Sequence, residues 1–195
     1  VIQKESPSDP TVAYPPPIVR KGAANKIKNM KIRPAKIIDA PDLARIHVTG
    51  WQVAYRDIIS ADLLGQKSID KRTEQFKQAI IKKTEETYVI EDSEKIIGFI
   101  TIGACRDDDK DKNTGEIWGI YIDSDHWKQG YGKKLVEFGE NILIKRGFTE
   151  IVLWTLKDND TSRKFYEKVG YEVEGKTEKL EKYGNVEIIR YIKKT

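Results

Sequence analysis

The stretch "DSDHWKQGYGKKL", Asp123 to Leu135, sets two glycines one residue apart directly behind the apolar run "GEIWGIYI". That run reads as a strand and the residues after Gly132 as a helix, so the glycines stand at a strand-to-helix turn. The first amides of a helix lack intrahelical partners and lie at the positive end of its dipole, which suits an anion. Lys128, Lys133 and Lys134 add charge, and Gly130 and Gly132 allow a diphosphate to approach the backbone. The plainer alternative, glycines that merely permit a tight turn, stays open on these residues alone. The P-loop spacing and its Lys-Ser/Thr are absent. The dinucleotide fingerprint asks for Gly or Ala at position 135, which is Leu.

Other reactive side chains point to less. "RDDDKDKNTG" is rich in acids, but the glycine and terminal glutamate of a calcium loop are missing. It reads as a charged, solvated hairpin loop, and no metal is expected. Cys105 stands at a strand end with no partner histidine in view, a poor setting for a nucleophile. His47 and His126 are isolated and read as structural or surface residues.

The elements that must position the glycine turn alternate along the chain. "KIRPAKI" is a short strand, with Pro34 marking an edge. Leu43, Ile46, Trp51, Tyr55 and Ile58 recur at helical spacing, and Asp70 to Lys83 reads as a second helix. "TYVIED" and "KIIGFITIGAC" are strands joined by a turn at Asp92–Glu94. After the glycine turn and its helix come the strand "TEIVLWTL", the short helix "NDTSRKFYEKVG", and the strands "YEVEGKTEKL" and "VEIIRYIKK". Residues 1–29 differ: five of the seven prolines precede residue 18, and such a segment cannot bury a core. Met30 reads as the natural start, with 1–29 an expression leader or tag, or else an arm docked on a neighbouring subunit. Residues 30–195 form the domain.

The formal charge is +4, yet residues 1–30 hold five basic and two acidic side chains, leaving the body near neutral. That is not the footprint of a nucleic-acid binder. Apolar residues make up 38% and charged ones 34%, in keeping with a soluble chain, and no apolar run could span a bilayer. The single cysteine points to a reducing compartment, so the protein is read as cytoplasmic.

"GEIWGIYIDSDHWKQGYGKKL", "LWTLKDNDTSRKFYEKVGYEVEG" and "VTGWQVAYRDIISADLL", in this order and spacing, resemble the GNAT superfamily of N-acetyltransferases, in particular a bacterial subgroup acting on small molecules. The resemblance spans Met30 to Thr195. It implies an α/β (α+β in some schemes) fold: a mixed, mostly antiparallel sheet with helices on both faces. The implied cofactor is acetyl-coenzyme A, with pyrophosphate on the loop Trp127, Lys128, Gln129, Gly130, Tyr131, Gly132 and Lys133. Trp127 departs from the family, which often has Gln or Arg there, so its side-chain contribution is in doubt. The pantetheine arm is expected between the fourth and fifth strands, which splay apart. There it would pair with the backbone of Ile120, Tyr121 and Ile122, and reach Asn159 and Ser162.

Acetyl transfer to an amine needs a neutral amine, although an aliphatic amine has a pKa of ~10.4. The resemblance places the general base at Glu116. It places the acid at Tyr166, whose phenol, with a pKa of about 10, can protonate a departing thiolate of pKa ~8.5. Trp51, Tyr55, Trp118 and Tyr183 are the expected walls for the acceptor, and nothing in the spacing selects Asp57, Asp62 or Glu181 to hold a cationic amine. The expected activity is direct acetylation of a small-molecule amine in a ternary complex. A peptide or protein N-terminal acceptor is one alternative, and a non-catalytic acyl-CoA sensor another. No nucleic acid or membrane partner is expected, and a homodimer is.

Overall fold

A computed structural model describes residues 30–65 and 67–195; the reading of 1–29 as leader or arm lies outside them. In chain order the elements are β1 (Met30–Pro34), α1 (Ala40–Tyr55), α2 (Ala61–Gly65), α3 (Ile69–Lys82), β2 (Glu86–Asp92), β3 (Lys95–Ala104), β4 (Thr114–Ile122), α4 (Tyr131–Lys145), β5 (Glu150–Leu156), α5 (Asp160–Lys168), β6 (Glu172–Leu180) and β7 (Val186–Lys194). The strands make one sheet in the order β1-β2-β3-β4-β5-β7-β6. Every neighbouring pair is antiparallel except β4–β5. This is the mixed, mostly antiparallel sheet the sequence implies, with Pro34 on its edge strand, where a missing N–H costs no ladder bond.

Side-chain alternation sorts the core into two layers. Ile100, Ile102, Ile117, Ile120 and Leu153 pack under α4 and α5 with Leu135, Val136 and Tyr166. Phe99, Tyr121, Trp154 and Leu156 pack on the other face with Leu43, Trp51, Tyr55 and Phe76 of α1 and α3. Being covered on both sides explains why β3 is a near-continuous apolar run. The apolar pattern that continues to Ile58 does not extend α1. The helix stops at Tyr55, whose carbonyl takes the amides of Ile58 and Ile59, and a separate short α2 follows.

The loop before β4 is the expected hairpin connection, with Asp108, Asp109, Asp111, Lys112 and Asn113 exposed, but it is not wholly solvated. Asp107 is buried and accepts from Trp154 Nε1 at 2.9 Å and Arg190 Nη1 at 3.0 Å. Asp109 accepts from Arg190 and Lys176, while Lys110 donates to Glu150 and Glu174. Long-range ion pairs thus fasten it over β5, β6 and β7. Among the described residues no group of acids, histidines and cysteine is placed to hold a metal, and no helix is long and apolar enough to cross a membrane.

Candidate active site

The parallel pairing of β4 with β5 runs from Thr114↔Glu150 to Ile117↔Leu153 and then stops, although β4 continues to Ile122 and β5 to Leu156. A register shift sits at the same point: Ile102 pairs with Ile117 while Thr101 pairs with Gly119, so Trp118 is the bulged residue. A bulge bends its strand and increases the local twist, which accounts for the parting. Ile120, Tyr121 and Ile122 keep β3 on one edge and face the opening with the other.

The glycine loop continues β4 and is held in shape from several sides. Trp127 donates its indole N–H to Ile122 O at 2.6 Å, so its side chain braces the strand end. Asp123 accepts from Asp125 N and from Arg45 of α1 at 2.7 Å. Burial works to raise the Asp123 carboxyl, but these bonds outweigh it and hold the group below the usual carboxylate range. Gln129 is half-buried and returns a bond to Asp125 O, and Lys133 is exposed with Glu137 one turn on. Lys128 and Gly130 both take left-handed backbone, with φ of 58° and 88°. Nothing lies near the Cβ that Gly130 lacks, so it is conformation that calls for glycine there. The first bond of α4 runs from Lys134 N to Gly130 O, leaving the amides of Tyr131, Gly132 and Lys133 ahead of it. Tyr131 reaches across to Asp92 at the end of β2 with a 2.7 Å bond. Burial and that carboxylate push its phenol up to about 12.

Across the opening, Asn159 caps α5, its Oδ1 accepting from Ser162 N at 3.1 Å. The bond fixes the amide's orientation, so its other end is Nδ2, which is buried without a partner among the described residues. One side chain thus serves as helix cap and still offers a donor. Thr155 Oγ1 is likewise buried and unpartnered, and alternation from Leu153 turns it to the α4/α5 face. Sequence reading passed over Thr155; strand alternation was the only signal for it. Tyr166, fully buried, lies on this face against Phe165, Tyr171 and Tyr191.

Glu116 points the opposite way, since its neighbour Ile117 belongs to the α4/α5 layer. Its buried carboxylate accepts three bonds from one residue: the Arg106 amide at 2.9 Å, Nε at 3.1 Å and Nη2 at 2.5 Å. Arg106 lies 4.4 Å from the Trp118 ring centroid, and Trp118 crosses Gly103 so closely that a Cβ there would come within 2.7 Å. Of the expected acceptor walls, Trp51, Tyr55 and Tyr183 come together, with centroids 4.5 and 4.9 Å from Trp51. Trp118 lies against Arg106 and Gly103. Lys67 lies over Trp51 at 3.7 Å and over Tyr183 at 5.3 Å. Asp57, Asp62 and Glu181 are exposed. His47 is buried beside Arg72 at 3.1 Å, and burial followed by that cation holds its imidazole well below the ordinary value. Cys105 has its thiol pushed up to about 11, chiefly by burial, which keeps it protonated. Arg45, Asp92, Arg106 and Lys67 were not legible, because each matters only through a partner on another element, as far as 78 residues away for Arg45 and Asp123.

A sheet that opens between a bulged β4 and β5, with a helix N-terminus at its mouth, defines a class of acyl-transfer proteins. The model of the Acetyltransferase (GNAT) family matches residues 52–171. The chain belongs to that family and is an acetyl-CoA-dependent N-acetyltransferase. It is 28% identical over 129 residues to the Uncharacterized N-acetyltransferase YuaI of Bacillus subtilis, covering 66% of this chain and 72% of that one. It is 24% identical over 152 residues to the spermidine N(1)-acetyltransferase of Thermoplasma acidophilum, covering 75% and 90%. The crystal structure of PaiA N-acetyltransferase from Thermoplasma acidophilum in complex with coenzyme A matches it with a TM-score of 0.71 at 22% identity, over 86% of this chain and 99% of that one.

Proposed function

We propose that this chain acetylates an amine of a small molecule by direct attack in a ternary complex, with Glu116 as base and Tyr166 as acid. The buried, unpartnered Nδ2 of Asn159 at the β4–β5 opening carries this reading. It is a donor whose burial without an acceptor costs about 1–3 kcal/mol, and an amide carbonyl of the pantetheine arm is the acceptor it fits. The amides ahead of the first α4 bond would take the pyrophosphate, and the free edge of Ile120 to Ile122 would lie along the arm like an added strand. Acetyl-coenzyme A supplies the activated thioester.

Tyr166 and Glu116 then work from opposite faces of the sheet. Arg106 occupies three of the roughly four acceptor positions of the Glu116 carboxylate, leaving one on Oε1. That position takes the proton of the incoming ammonium, directly or through one water. As the amine nitrogen bonds to the acetyl carbon, the C–S bond breaks and the Tyr166 hydroxyl gives its proton to the sulfur. The nitrogen gives up its second proton as the amide forms, returning it to the tyrosinate directly or through water, and Glu116 releases its proton to solvent, so both groups are restored and one proton is set free per turnover. Release of free thiol from acetyl-coenzyme A tests this across amines and N-terminal peptides. Amine-dependent release is the expected result; coenzyme A binding with no release from any acceptor would favour a sensor.

A further inference from the structure

Four threonines are buried among the described residues: Thr87, Thr101, Thr114 and Thr155. Thr87 and Thr101 share a 2.9 Å hydrogen bond between β2 and β3, and Thr114 donates to Asp111. Thr155, fully enclosed, has an Oγ1 with no partner among the described residues. Leaving a hydroxyl in that state destabilises the fold, and a valine of nearly the same shape would avoid it. Buried polar groups are otherwise satisfied, so this one calls for a partner the chain itself does not supply.

The position of Thr155 identifies that partner. It lies two residues, about 7 Å of strand, past Leu153, the last residue of β5 paired with β4. On its other side Ile189 of β7 pairs with it, so it forms a fixed wall of the opening. Leu153 and Ile189 belong to the α4/α5 layer, while Trp154 and Leu156 belong to the other. Alternation therefore sets the Thr155 hydroxyl on the face that carries Tyr166 and the α5 cap Asn159. The α4 amides stand beyond the end of β4 and Asn159 beyond the end of β5, whereas Thr155 is nearer the closed end at Ile117 and Leu153. Polar groups are thus ordered from the mouth of the opening to its apex. Coenzyme A carries its own groups in a matching order: pyrophosphate, a first amide in the arm, a second amide, then sulfur.

We infer that Thr155 is a coenzyme-binding residue: Asn159 takes the amide nearer the pyrophosphate, and the Thr155 hydroxyl takes the amide beside the sulfur. A hydroxyl is donor and acceptor at once, which suits an amide. This contact fixes how deep the thioester sits on the face of Tyr166. The inference rests on the arm lying in the β4–β5 opening and adds the residue that holds its reacting end.

The test measures dissociation constants by calorimetry for coenzyme A and for its nucleotide half, which keeps the pyrophosphate and lacks the arm. The proteins are wild type, Thr155→Val, Thr155→Ser and Asn159→Asp, each also melted without ligand. Thr155→Val should bind coenzyme A about tenfold more weakly and the nucleotide half within about twofold of wild type. Without ligand it should melt about 2–4 °C higher, since the unpartnered hydroxyl is gone and valine suits a strand. Thr155→Ser keeps the hydroxyl and should hold coenzyme A within about threefold of wild type. Weaker coenzyme binding by a more stable protein is the readout. A hydroxyl with a merely structural role would instead lower the melting point and leave both affinities alone. Unchanged coenzyme A affinity in Thr155→Val overturns the inference, as does equal weakening of both ligands, or Thr155→Ser binding as weakly as Thr155→Val. If Asn159→Asp weakens coenzyme A while Thr155→Val does not, the arm lies in the opening and only the Thr155 assignment falls. If neither substitution weakens it, the arm lies elsewhere and the reading of the opening falls as well.

Discussion

The two faces of the sheet are built on different physics. The α4/α5 face offers a ligand mostly backbone: helix amides, a strand edge, and a capping amide whose NH2 group is left over. The α1/α3 face offers side-chain charges held by partners on other elements, such as Arg190 with Asp107, 83 residues away, and Glu116 with Arg106 of the preceding loop. A backbone site can be specified by a short stretch, because glycine position and helix start decide it. A charge network must be assembled by the whole fold, and it can change partners without a change of fold. One face suits an invariant cofactor, the other an acceptor that differs among relatives.

Substitutions should separate the faces. The largest effect belongs to Glu116→Gln, which should lower kcat/KM by roughly 10²-fold or more while coenzyme A affinity stays within about threefold. Next, Arg190→Leu removes the buried cation that Asp107, Asp109 and Glu174 share and should cost about 3 kcal/mol of stability in denaturant melts. Its coenzyme A affinity should be kept, since the network lies on the other face. Asn159→Asp retains an oxygen to cap α5 but loses the donor. It should weaken coenzyme A about tenfold in a calorimetric titration, with stability barely altered. Gly130→Ala places a Cβ at φ 88° and should cost about 1 kcal/mol, read in the same melts.

The smallest effect concerns pH. Tyr131 has its phenol raised from 10 to about 12 by burial and the Asp92 contact. A raised phenol favours the folded state fully below its unfolded value, and that contribution disappears as pH climbs through 10 to 12. Tyr131→Phe should therefore show a shallower loss of stability across that window than the wild type.

What the sequence made legible follows the same division. The order of elements, the edge strand at Pro34, the glycine turn and the Asn159 cap are local, and each could be read from a short window. The opening between β4 and β5 was expected only through family resemblance; its cause, the bulge at Trp118, is invisible in an apolar run. The acidic loop reads as solvated because its partners Trp154, Arg190 and Glu174 come about 45 to 85 residues later. Likewise Glu116 can be read as a carboxylate at a strand entry, but not as one gripped by Arg106.

The most direct test of two chemically distinct faces is one paired measurement: coenzyme A dissociation constant and saturated kcat, on Glu116→Gln and Asn159→Asp side by side. The account expects a crossover, Glu116→Gln losing kcat with affinity kept and Asn159→Asp losing affinity with most of kcat kept. Both substitutions moving the same quantity, or Glu116→Gln turning over at the wild-type rate, would contradict it.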